Sequence, residues 1–116
     1  MQKGFREINL ELGHPTVKQA MQRLQQEIPH SRKDLDCAVL KVIHGYGSSG
    51  SGGKIRLQCR SYLQQLKQQR QIKDFIPGEK FSIFEEQTRQ AFRLCDALRR
   101  DEDLDRYNNG VTYIIL

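Results

Sequence analysis

The segment that most constrains this chain is Ala38-Val39-Leu40-Lys41-Val42-Ile43, a nearly continuous apolar run. Such a run is expected of a strand covered on both faces, and hence of a central strand. It passes through His44 into Gly45-Tyr46-Gly47-Ser48-Ser49-Gly50-Ser51-Gly52-Gly53, which holds five of the nine glycines. Ile55, Cys59, Tyr62, Leu63 and Leu66 then recur at helical spacing. In open α/β sheets, ligands bind where a strand's carboxyl end meets a helix's amino end.

The flanking sequence fits the same plan. Ile8, Leu10 and Leu12 alternate with polar residues, as in a half-buried strand. Thr16 and Gln19 form a capping box ahead of Val17, Ala20, Met21, Leu24 and Ile28, a first helix that Pro29 is expected to stop. Ile72–Ile76 reads as a third strand closed by Pro77-Gly78. Ser82 and Glu85 form a second capping box, opening a third helix along Phe84, Thr88, Ala91, Phe92, Cys95 and Leu98. Val111 to Leu116 reads as a last strand. The expectation is an α/β, two-layer β-α-β-α-β-(α)-β sandwich with a mixed four-stranded sheet, one domain over residues 1–116.

Composition narrows the partners. No stretch approaches the apolar length of a membrane span, and Met1–Leu12 lacks the apolar block of a signal peptide. Cys37, Cys59 and Cys95 are odd in number with no C-x-x-C, which points to a reducing cytoplasm and to no zinc site. Residues 1–72 hold 12 basic and 5 acidic side chains, whereas residues 73–116 hold 7 and 9. Lys41 through Lys73 contains seven basic residues and no carboxylate. A block of that kind is the footprint of a phosphate or nucleic-acid surface.

The glycine loop has the parts of a phosphate cradle. Gly45, Gly47, Gly50, Gly52 and Gly53 let backbone N–H groups of residues 45–54 turn outward as a nest, and the helix amino end adds its dipole. Lys54, Arg56 and Arg60 add full charges in the following turns. Gly45, Gly47 and Gly50 match G-x-G-x-x-G, but the loop runs three residues past Gly50, so that glycine is not placed inside the helix as a dinucleotide site needs. The Walker pattern fails at Ser48 and at Ile55. His44 could bind phosphate, act as an acid or base, or cap the loop; Tyr46 could stack on a base.

His44-Gly45-Tyr46-Gly47 followed by glycines and Ile55-Arg56 resembles the H-G-x-G…L-R signature of the small MutS-related (Smr) domain family. Gly110-Val111-Thr112-Tyr113-Ile114-Ile115-Leu116 is similar to that family's last strand, and Leu10 through Ala20 to its L-D-L-H-G-x-T-V-x-x-A opening. The resemblance covers residues 8–76 and 110–116 and leaves 74–109 as an insertion carrying an extra helix. It implies DNA or RNA binding, and in some members cleavage attributed to the acid and histidine of the D-x-H motif. Here Glu11 and Gly13 stand at those positions, with His14 displaced by one residue.

Two functions follow as expectations. One is nucleic-acid binding through His44, Gly45, Tyr46, Gly47, Gly50, Gly52, Gly53, Lys54, Arg56 and Arg60, with Lys41 and Lys67 adding sequence-independent affinity and no cofactor. The other is a nicking endonuclease or ribonuclease with Glu11, His14 and His44 as the catalytic set and Mg²⁺ or Mn²⁺ as its metal. A protein partner on the exposed side of the third helix is a further expectation.

Overall fold

The computed structural model describes residues 3–46 and 52–116. Its four strands are β1 (Gly4–Asn9), β2 (Cys37–Ile43), β3 (Asp74–Pro77) and β4 (Val111–Ile115), and its three helices are α1 (Val17–Lys33), α2 (Gly52–Gln68) and α3 (Glu86–Leu94). They form one mixed sheet in the order β1-β2-β4-β3; β1 and β2 are parallel, and β4 is antiparallel to both its neighbours. β2 is central, as its apolar run implies. β4, last in the sequence, inserts between β2 and β3.

Each face of the sheet has its own cover. Leu40, Val42 and Ile114 point to α1 and α2, where Leu24, Ile28, Ile55, Cys59 and Leu63 complete a buried cluster. Val39, Tyr113 and Ile115 point the other way, against Phe81, Ala91, Phe92, Cys95 and Leu98. The expected mixed sheet with helices is present. Residues 78–105, with α3 and short 3-10 turns at Gly78–Lys80 and Asp96–Arg100, add a layer on the second face.

Several boundaries move for local reasons. The first strand lies N-terminal to the expected alternation: the Asn9 side chain accepts the Glu11 amide, the chain turns, and Leu12 is left 70% exposed. The Thr16–Gln19 capping box forms as expected. Pro29 does not stop α1, which continues to Lys33. Proline removes one N–H and crowds the carbonyl four residues earlier; here Pro29 and Gln25 both face solvent, and Ser31 bonds back across the site to Glu27, itself paired with Arg6 of β1. The second capping box does not form. Ser82 Oγ accepts the Phe84 amide, a local turn that delays α3 to Glu86 and leaves Phe84 79% exposed. Among the described residues no helix is long and apolar enough to cross a membrane.

Candidate nucleic-acid interface

Because β1 and β2 are parallel, the loops that follow them leave the sheet on the same edge. β4 begins there, with Val111 opposite Ile43, and β3 ends there, with Pro77 opposite Thr112. The segments around residues 10–16, 44–46, 52–56, 77–80 and 108–112 therefore converge at one end of the sheet.

His44 lies at the centre of that edge with no exposed surface. Its Nδ1 is 2.8 Å from the Gly45 carbonyl and its Nε2 is 2.7 Å from Thr112 Oγ1. A carbonyl can only accept, so Nδ1 carries the proton and Nε2 accepts from the Thr112 hydroxyl. Thr112 Oγ1 in turn accepts Arg60 Nε at 3.3 Å, while the guanidinium grips Glu79 with contacts of 2.6 and 2.8 Å. Burial, reinforced by the positive charges of Arg60 and Arg56, pushes the His44 pKa down to about 4. His44 is therefore a neutral ring that joins β2, β4 and α2 and holds the Gly45 carbonyl in place.

Gly45 is favoured by its backbone and packs closely against Glu11. Its φ is +76°, a region that disfavours residues with a Cβ, and a Cβ there would collide with the Glu11 carboxylate. The amides of His44 and Gly45 both donate to the Gly110 carbonyl at 3.0 Å. A Cβ on Gly110 would stand 2.9 Å from Tyr46 Cδ1, so the loop approaches this turn closely. The expectation of an outward amide thus fails at Gly45. Gly47 and Gly50 lie outside the described residues. α2 opens at Gly52-Gly53-Lys54, and the first amides of any helix lack an acceptor within it.

The expected site residues divide. Glu11 is brought against Gly45; His14, exposed with φ +51°, sits in the same turn, its amide donating to the Glu11 carbonyl. Tyr46 is 57% exposed and Lys54 is exposed at the start of α2. Arg56 is partly buried, and its Nε has no hydrogen-bond partner among the described residues. Arg60 is committed to Glu79 and Thr112. Lys67 pairs with Asp74 at 2.9 Å. Lys41 needs outright correction as a surface cation: it is fully buried, on the face away from α2, with Asp103 at 2.6 Å and Asp101 at 3.1 Å. Among the described residues no three His, Cys, Asp or Glu side chains gather as a metal site would need.

Glu79 and Thr112 complete this site, and no local pattern marks either: Thr112 lies in the Gly110–Leu116 strand, but nothing near it in sequence shows that its hydroxyl reaches a histidine 68 positions earlier.

No family model matches the chain, and no curated protein does. Among solved structures, the chain is similar to the Smr domain of Thermus thermophilus MutS2, at 23% identity over 96% of each chain with a TM-score of 0.55. The chain thus has an Smr-like fold.

Proposed function

We propose, with the Smr-like fold as premise, that this domain binds DNA or RNA by gripping the sugar–phosphate backbone at the end of the sheet where α2 begins. The observation that carries the reading is the pairing pattern of the basic block. Lys41, Arg60 and Lys67 are taken up by carboxylates, whereas Lys54 and Arg56, beside the helix amino end, form no ion pair among the described residues. Cations left free next to helix amides suit an anionic chain. Tyr46, exposed at the same edge, offers a ring to a base. Glu11, His14 and His44 shape the mouth, with His44 acting as a positioning residue through Gly45.

The test is a salt-titrated binding assay on single-stranded, duplex and branched DNA and RNA. Arg56→Ala and Lys54→Ala should each weaken binding to every sequence and lower the log–log salt slope by about one. Unchanged affinity and slope in both variants would overturn the reading. Arg60→Ala is a poorer probe, because it also strands Glu79 and releases Thr112.

A second reading, phosphodiester cleavage, has one specific support: the Glu11 carboxylate lies against Gly45, at the same edge as Lys54 and Arg56. It expects cleavage products in Mg²⁺ or Mn²⁺ that Glu11→Gln abolishes while binding persists. Wild-type protein that binds without cutting in either metal removes it.

A further inference from the structure

The far end of the sheet carries a second concentration of positive charge. There, where β1 and β2 begin and β4 ends, a cavity of about 430 Å³ is lined by Lys3, Arg32, Lys73 and Arg93. Cys37–Ile43 spans seven residues, so at roughly 3.3 Å per residue this cavity lies about 20 Å from the His44 edge. Among the described residues none of the four cations is paired with a carboxylate. They outnumber the acidic side chain at the cavity, Asp34. By contrast, Lys41, Arg60 and Lys67 each meet a carboxylate. All four cavity cations are exposed to solvent and exceed the acidic lining, so the cavity presents a net positive field to an anion.

The rest of the lining is apolar. Leu35 is 81% exposed and Leu94 is 46% exposed, both flanking the cavity, with Ala38 beside them. The backbone beneath is tied to the sheet: the Leu116 amide donates to the Ala38 carbonyl at 3.0 Å and the Lys73 amide to the Ile115 carbonyl at 2.9 Å. A cavity of this size suits a small ligand, and two arginines can fork onto phosphate oxygens.

We propose that this cavity binds a phosphate monoester with a flat, largely apolar body, of mononucleotide size. Arg32 and Arg93 hold the phosphate, Lys3 and Lys73 add charge, and Leu35 and Leu94 cover the base. The site is separate from the edge around His44 and does not depend on the function proposed for it.

Adenosine 5′-monophosphate is the probe, titrated into the whole chain and followed by calorimetry and by amide chemical shifts. Saturable binding is expected, with shifts at Leu35, Ala38, Lys73 and Leu94, competition by inorganic phosphate at higher concentration, and no detectable binding of adenosine. Arg32→Gln and Arg93→Gln should each weaken binding about tenfold, and Arg→Lys at the same positions should recover part of the loss. Lys3→Gln, at an exposed position that folding does not need, should weaken it less. A short 5′-phosphorylated oligonucleotide that displaces the mononucleotide marks a strand end as the source, and one that does not marks a free nucleotide. No binding, shifts at Gly45 and Lys54–Arg56 instead, or full affinity in the Arg32 and Arg93 variants would overturn the proposal.

Discussion

Replacing Lys41 with methionine is expected to destabilise the fold by about 3–5 kcal/mol, measured by chemical denaturation at neutral pH. The Lys41 side chain is 1% exposed and contacts Asp101 and Asp103, themselves 5% and 15% exposed; Tyr113 donates its hydroxyl to the same Asp101. Removing the ammonium leaves two carboxylates in a poorly solvated site, with the Tyr113 phenol, the Asn108 amide and the Asp103 backbone N–H as neutral donors and no cation to balance them. The triple change Lys41→Met, Asp101→Asn, Asp103→Asn should recover much of the loss, because the cost lies in the unpaired charge and not in the missing pair. Equal losses in the single and triple variants would contradict this account. Alkali should act in the same direction. Burial pulls the Lys41 pKa down, but Asp103 and Asp101 raise it more, above its ordinary 10.5. Its contribution is therefore complete below about pH 10.5 and is lost as pH rises through the higher folded value.

Acidification between pH 6.5 and pH 4 is expected to cost about 3 kcal/mol through His44 alone. Burial, with Arg60 and Arg56 nearby, lowers the ring's folded pKa from the ordinary 6.5 to about 4. A depressed folded pKa gives stability that is present above 6.5 and disappears as pH falls through the folded value. Protonation turns Nε2 into a donor toward Thr112 Oγ1, so the Thr112 hydroxyl proton loses its acceptor and a cationic ring is left buried beside Arg60 and Arg56. The measurement is denaturant midpoint against pH for wild type and His44→Asn. The variant should be less stable at pH 7 and nearly flat over this range. A flat wild-type profile would show that His44 is not held neutral in the fold. Glu79 enters only at the acid end of this range: burial raises its pKa, but Arg60 lowers it more, below the ordinary 4.5, so its contribution begins to fall only below about pH 4.5.

The sheet's central strand, the first capping box, the amphipathic α2 and the last strand were all legible, because each rests on residues close in sequence. Val39, Leu40, Val42 and Ile43 put apolar side chains on both faces, and Thr16 finds its partner three residues away. Errors fell where a local signal competed with a distant one. Ser82 could cap a helix or bond the amide two residues on, and Thr88, which meets both the Ser82 amide and the Lys80 carbonyl, favours the turn. Pro29 normally ends a helix, yet contacts between Glu27, Ser31 and Arg6 keep this one going.

By itself the sequence determined which elements exist and that a glycine-rich turn joins the central strand to a basic helix, since periodicity and turn chemistry act over a few residues. Only the tertiary structure decided where the charge goes. The acid-free stretch from Lys41 to Lys73 looked like one cationic surface, but the acidic end of the chain folds back onto it, sending Asp101 and Asp103 to Lys41, Glu79 to Arg60 and Asp74 to Lys67. Insertion of β4 between β2 and β3 sets Thr112 against His44 and buries the ring. Coulombic pairing and burial depend on distance in space, and a register between strands 68 residues apart leaves no local trace in composition.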